Sequence, residues 1–303
     1  MRVTVFGATG TVGQALLPLL ADEHEVVAVS RRHGVAQDGI RWATADVASG
    51  EGLAEAIDGA DVVYYLVHSL GQGDFEAKDS QAASRVSQAA AEAGIGQIVY
   101  LGGLGADHPD ASPHLRSRRV TGEMLAAGGV AVTTLRAAMV IGKGSAAFET
   151  ILGLVKRLPV MITPSWVSTP TQPIALTDIA RYLAGVAGKE EALGMGYDAA
   201  GPEVMSYRQM IERIAALLGR SPRIVEVPVL TPALSALWLE LITPVNAAVA
   251  RPLIEGLRNP TVAREERLRD LVPFELTPFD VATQEALGTN GDRAAEDSGS
   301  PAA

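Results

Sequence analysis

Short apolar runs alternate with amphipathic stretches through the first half of the chain. Runs with strand character cover Arg2–Phe6, Glu25–Ser30, Ile40–Ala45, Asp61–Val67, Gln97–Gly102 and Ala131–Val140. Between them, apolar positions recur at helical spacing over Val12–Ala21, Gly52–Ile57, Asp74–Ala93 and Leu115–Ala127. Gly94 and the pair Gly128-Gly129 stop two of these helices, because glycine adopts the left-handed C-cap without strain. Strands alternating with helices predict an α/β fold, a doubly wound parallel sheet with helices on both faces.

Beyond residue 140 the elements shorten. Helical patterns cover Ala146–Arg157, Thr177–Ala187, Tyr207–Leu218 and Leu234–Ile242. Brief strands are expected at Gln172–Ala175, Tyr197–Ala199 and Arg223–Val227. This predicts a core over residues 1–140. A small C-terminal α+β substrate or lid region over 141–287 is expected to interleave with it and close over the strand ends. Residues 288–303 are small, polar and acidic, and are expected to be a disordered tail. The apolar stretch 230–257 is cut by Pro232, Pro244 and Pro252, and reads as short packed helices or as a surface for a protein partner.

Charge narrows the picture. The 303 residues carry a net charge of -10, which opposes binding to a phosphate backbone. The one basic run, Arg116-Ser117-Arg118-Arg119, reads as a solvated helix face, so no nucleic acid is expected as partner. There is no cysteine, which excludes disulfides, thiolate metal sites and cysteine nucleophiles. No metal site is expected, since His108 and His114 lie across a proline-bearing loop rather than at helical ligand spacing. A strand beginning at Arg2 leaves no room for a signal peptide, and no apolar run reaches membrane-spanning length. The cytoplasm is the expected compartment.

The first strand runs into Gly7-Ala8-Thr9-Gly10-Thr11-Val12-Gly13, a GxxGxxG turn that opens a helix. Such a turn points backbone N–H groups at a pyrophosphate. Gly7 permits the tight turn, Gly10 lets the backbone approach the phosphates, and Gly13 allows close helix–strand packing. Thr9, Thr11 and Val12 should add backbone or hydroxyl donors. The alternative is a structural turn without a ligand.

The end of the second strand is the next discriminator. An acid there would bond the adenosine ribose, whereas this chain has Ser30-Arg31-Arg32. Guanidinium groups match a 2′-phosphate, so NADP(H) is expected over NAD(H), unless both arginines are merely surface residues. Asp46, followed by Val47, is placed to accept from the adenine amino group or to form a turn. Leu66 and Val67 should lie along the cofactor. His68, at a sheet edge, is either functional or a hydrogen-bonded structural histidine.

These stretches resemble the atypical and extended short-chain dehydrogenase/reductases. The nearest group is the NmrA-like and complex-I 39 kDa-subunit-like NAD(P)-binding proteins. The resemblance rests on Gly7–Gly13, Asp61–Leu70 (DVVYYLVHSL), Ile98–Gly105 (IVYLGGLG) and Leu135–Gly142 (LRAAMVIG). It extends through Leu158–Pro164, Gln172–Ala175 and Ala250–Asn259. It implies a Rossmann sheet with the cofactor across it and a substrate pocket beneath the C-terminal region.

Catalytic members of that superfamily use a Tyr-x-x-x-Lys pair after strand five and a Ser or Thr at that strand's end. Here the strand ends in Gly102-Gly103, and spacing puts His114 and Arg118 at the Tyr and Lys positions. A histidine can move a proton, while an arginine can only hold a hydroxyl or phosphate. His114 near a helix start without catalytic duty is the alternative. The resemblance therefore implies an NAD(P)H-binding redox sensor or weak reductase. The alternatives are an NADPH-dependent reductase of a quinone-like or other carbonyl compound, and a cofactor-stabilised scaffold.

Overall fold

The computed structural model describes residues 1–32, 39–69, 74–227, 256 and 258–288. Seven parallel strands form the main sheet: β1 (Arg2–Phe6), β2 (Glu25–Ser30), β3 (Ile40–Thr44), β4 (Val62–Tyr65), β5 (Gln97–Gly103), β6 (Ala131–Ala137) and β11 (Gly196–Ala199). Their spatial order is β11-β6-β5-β4-β1-β2-β3. The chain winds outward from β1 in both directions, so a crevice opens at the C-terminal ends of β1 and β4, where doubly wound sheets take their ligands.

Alternation along each strand sorts side chains between two cores. In β1, Val3 and Val5 face α1 (Thr11–Ala21) and join Leu16, Leu17 and Leu20. Phe6 faces the opposite side, in the cluster of α2 (Leu53–Ile57), α3 (Phe75–Glu92) and α4 (Pro113–Ala126). Thr4 shares that second face, and its hydroxyl donates to the Ala56 carbonyl at 2.9 Å, which meets the demand of a buried polar group. In α3 the residues Asp79, Ala82, Ala83, Val86 and Ala90 form the buried stripe.

The sequence pattern starts α4 at Leu115, but the helix begins at Pro113. Ser112 caps it by accepting from the Leu115 N–H, and Pro113 sits at the first helical position, where no donor is lost. His114 is thereby drawn into the first turn. The expected strand 131–140 is also broken. Its pairing with β5 and β11 ends at Ala137, and β7 (Val140–Ile141) pairs instead with β10 (Ile174–Ala175).

The remaining elements are α5 (Ala146–Arg157), β8 (Val160–Pro164), β9 (Pro170–Thr171), α6 (Leu176–Gly185), β12 (Met205–Ser206), α7 (Tyr207–Leu217), β13 (Arg223–Val227), α8 (Arg267–Leu271) and α9 (Phe279–Leu287). Of the expected strand Gln172–Ala175 only Ile174–Ala175 forms, as β10; Gln172 and Pro173 lie between β9 and β10, and Pro173 cannot donate to a ladder. Tyr197–Ala199, expected among the small C-terminal elements, is part of the main sheet's edge strand, and α6 packs on α1. A third core joins α5, α7 and α9 through Phe148, Val155, Met210, Ile214 and Phe279. The helix expected at Leu234–Ile242, nearly all of the 230–257 partner surface and the 289–303 part of the tail lie outside the described residues.

Buried Asp178 ties the C-terminal strap to α6. Its carboxylate accepts the Thr277 N–H at 2.7 Å and the Thr277 hydroxyl at 2.9 Å. Asp178→Ala strands both donors and should cost about 2 kcal/mol of stability, read by urea unfolding. An unchanged unfolding midpoint would show that the strap is not held there.

Candidate functional site

The turn after β1 is built by what its glycines lack. Gly7 has φ +84, and a Cβ on it would lie 2.8 Å from the Leu66 carbonyl carbon. A Cβ on Gly13 would lie 2.4 Å from the Gly7 oxygen. Any larger residue at either position would push the turn away from the end of β4. Gly10 is extended, exposed and offers no side-chain cap to α1. The first intrahelical bond runs from the Gln14 N–H to the Gly10 carbonyl, which leaves the N–H groups of Thr11, Val12 and Gly13 ahead of it. An uncapped helix start fits an anion such as a pyrophosphate. The Thr11 hydroxyl is engaged, donating to the Gly144 carbonyl at 2.9 Å, so the loop before α5 sits beside the turn. Thr9 is exposed at its tip.

At the end of β2, the Ser30 hydroxyl and the Arg32 backbone bond each other and curl the chain. Arg31 and Arg32 are exposed and form no ion pair with a described residue. Asp46 makes a turn: its Oδ1 accepts the Ala48 N–H at 2.8 Å, which leaves Oδ2 for a second donor. Val47 packs on the α2–α3 side of the sheet.

At the end of β4, the Leu66 N–H donates to the Phe6 carbonyl at 3.0 Å. Leu66 and Val67 are half-buried beside the crevice. His68 keeps one side open to solvent while protein crowds the rest. That desolvation, followed by the positive charge of Arg118, pushes its pKa down to about 4, against the opposing pull of Asp79. Next to it, the Ser69 N–H donates to Asp79 at 2.7 Å.

Gly102 and Gly103 end β5, and Leu115 crowds the second of them. A Cβ on Gly103 would lie 2.8 Å from Leu115 Cδ2 and 3.7 Å from Arg118 Cγ. A Ser or Thr side chain at that position would shift the tip of Leu115 and pack against the Arg118 stem. His114 is half-buried, and desolvation, then Arg118, then His68 push its pKa down to about 3. At neutral pH it is an uncharged imidazole, able to donate or accept a hydrogen bond, but its remaining N–H is far too weak an acid to protonate a substrate. Arg118 is turned onto the sheet. Its Nη2 donates to the Leu101 carbonyl at 2.7 Å, and its guanidinium lies 5.5 Å from the centre of the Tyr100 ring. Tyr100 returns a bond from its hydroxyl to the Arg118 carbonyl at 2.8 Å.

The sequence reading passed over Asp79. Its buried carboxylate accepts the Ser69 N–H and the Ser117 hydroxyl, the latter at 3.2 Å, and so joins the His68 turn to α4. The signal was present: an acid heads the apolar stripe of α3. Tyr65, whose hydroxyl has no partner, stands in the same electrostatic neighbourhood, and burial and Asp79 hold its pKa above the usual tyrosine value. No group of three metal-ligating side chains forms among the described residues. No helix among them is long and apolar enough to cross a membrane.

Fold and site together define a Rossmann-like α/β sheet with a glycine turn of the phosphate-binding type at its switch point. Residues 7–141 match the family described as NAD(P)H-binding, and the resemblance drawn from the motifs holds at this level. An uncharacterized protein of Mycobacterium tuberculosis is 30% identical over 245 residues, covering 80% of this chain but only 26% of its own length. The chain thus spans about a quarter of that relative. A (4-alkanoyl-5-oxo-2,5-dihydrofuran-3-yl)methyl phosphate reductase of Streptomyces griseus is 26% identical over 75% of this chain and 77% of its own. Among solved structures, an NADPH-dependent quinone oxidoreductase of Escherichia coli, complexed with NADPH, superposes with TM-score 0.75 at 21% identity. That match covers 95% of this chain and 100% of the other. The Citrobacter triphenylmethane reductase complexed with NADP(H) gives TM-score 0.75 at 18% identity, covering 94% and 100%. At these identities the structural likeness establishes the fold.

Both imidazoles have pKa values below the unperturbed 6.5, so the unfolded chain binds more protons than the folded one between those values. Their contribution to stability is complete above about pH 6.5 and is lost as pH falls toward 4 and 3. His114→Asn should therefore show a shallower loss of stability between pH 6.5 and 4.5 than the unaltered chain, in paired urea titrations. Parallel slopes would mean that His114 titrates normally.

Proposed function

We propose that this protein holds NADPH and passes hydride only to acceptors that need no protein acid, with a quinone-like compound as the favoured class. The observation that carries this reading is the missing hydroxyl at the end of β5. Gly102 and Gly103 carry no side chain, the tip of Leu115 lies where a Cβ on Gly103 would sit, and the neighbouring His114 is uncharged at neutral pH. An ordinary carbonyl needs a proton at its oxygen as hydride arrives. A quinone takes hydride and then a proton from water, because its reduced oxygen is a stable phenolate. The cofactor, when bound, supplies the hydride. The Gly7–Gly13 turn would hold its pyrophosphate, Leu66 and Val67 would flank it, and His68, His114 and Gly102 would border its reacting end. Arg118, with one Nη on Leu101, would position rather than protonate. Similarity to the Streptomyces griseus reductase, and the fold shared with the Escherichia coli quinone oxidoreductase, support a reductase.

Preference for the 2′-phosphate is assigned to Arg31 and Arg32, which are exposed and without ion pairs to described residues at the end of β2. Charge-assisted bonds of this kind are worth about 1.5–3 kcal/mol, so NADPH should bind roughly tenfold or more tightly than NADH. The double variant Arg31→Ala/Arg32→Ala should lose that margin while keeping NADH affinity. Fluorescence titration of both nucleotides reads this directly, and equal affinities in the unaltered chain would end the argument. Turnover is tested with NADPH and a soluble benzoquinone against an aliphatic ketone. Activity on the quinone alone supports the reading. Comparable activity on the ketone would require an acid that this site does not provide. NADPH binding without turnover of either would favour a redox sensor.

A further inference from the structure

Among the described residues, the sheet face that carries α2, α3 and α4 is not covered to its edge. After β6, α6 packs on α1 across the sheet, and no described helix follows α4 over β6 and β11. An open trench of about 350 Å³ runs along these strands beside α4. It begins at the end of β5, where Gly102, Gly103 and Arg118 also border the proposed reacting end of the crevice, and runs from there along the sheet's flank. Tyr100, Val132 and Thr134 form its floor, Gly122 and Ala126 its helical wall, and Met195, 40% exposed, its lip. Two glycines let the walls approach closely: a Cβ on Gly122 would lie 3.3 Å from the Tyr100 ring, and one on Gly102 would lie 3.3 Å from Thr134 Cγ2.

The charges around the trench nearly cancel. Arg119 pairs with Glu123, Arg136 pairs with Asp198 at 2.7 Å, and Asp107 pairs with Arg264 at 2.8 Å. Arg118 also lines the trench and has no carboxylate partner among the described residues. One positive charge is left over beside apolar walls. We propose that the trench binds a small amphipathic monoanion, with an apolar body on Val132, Ala126 and the Tyr100 ring and a carboxylate on Arg118. The volume lies within the range of small-molecule sites. A dianion would leave a charge unmatched, and a neutral lipid would leave the guanidinium without its counter-ion.

Sodium octanoate and 1-octanol are the probes, titrated calorimetrically into the full chain. Octanoate should bind once and saturably, and at least about tenfold more tightly than octanol, as expected for a charge-assisted contact. Thr134→Phe fills the floor and should weaken octanoate about tenfold or more while NADPH titration is unchanged. Ala126→Trp, at an exposed position on the wall, serves the same purpose if the floor variant misfolds. Several results would overturn the proposal: no saturable octanoate binding, equal affinity for octanoate and octanol, or unchanged binding when the trench is filled. So would a dimer in light scattering that the filling variants dissociate, since the trench would then lie between two copies. None of these readouts depends on the cofactor or on turnover, so failure here leaves the reductase reading standing.

Discussion

The contact between the Gly7–Gly13 turn and the end of β4 governs the geometry of the crevice. Leu66 is bonded to Phe6 and lies against Gly7 so closely that one added carbon would collide with its carbonyl. This fixes where β4 ends and where the following turn begins. From there the constraint passes through single bonds. Ser69 donates to Asp79, and Asp79 accepts from Ser117 on α4. The same helix presents His114 and Arg118 one turn apart. The phosphate-binding turn and the candidate reacting groups are therefore held by one continuous set of short contacts.

The local signals in the sequence were strong where short-range physics decides. β1, β2 and α5 occupy the ranges that periodicity predicts, because an apolar run or stripe and its flanking polar residues are all that define them. The glycine turn was legible for the same reason. The seventh strand was not legible as part of the main sheet. Tyr197–Ala199 is short, and its partner Leu135–Ala137 lies about sixty residues earlier, so no local pattern marks the pairing. Asp79 heads the apolar stripe of α3, a signal that is faint because the helix is polar overall, and its bonds to Ser69 and Ser117 are tertiary facts. Leu115 was visible as a helix residue, but its occupation of the space beyond Gly103 is a tertiary fact.

Arg118 makes the two contacts that a planar guanidinium favours. It lies along the Tyr100 ring and bonds the Leu101 carbonyl. Burial is the larger cause that keeps His68 and His114 unprotonated, and the Arg118 charge adds to it at both. One arginine thus braces the end of β5 and contributes to the neutrality of both nearby imidazoles.

The same arrangement explains how an acidic chain can hold a polyanionic cofactor. The net charge of -10 would repel a dinucleotide phosphate if it were spread evenly. The charge is not spread evenly: α1 starts without a side-chain cap, Arg31 and Arg32 at the end of β2 are exposed and without ion pairs to described residues, and Arg118 has no carboxylate partner among the described residues. With both imidazoles neutral, these are the positive elements on which the proposed binding of a dinucleotide depends.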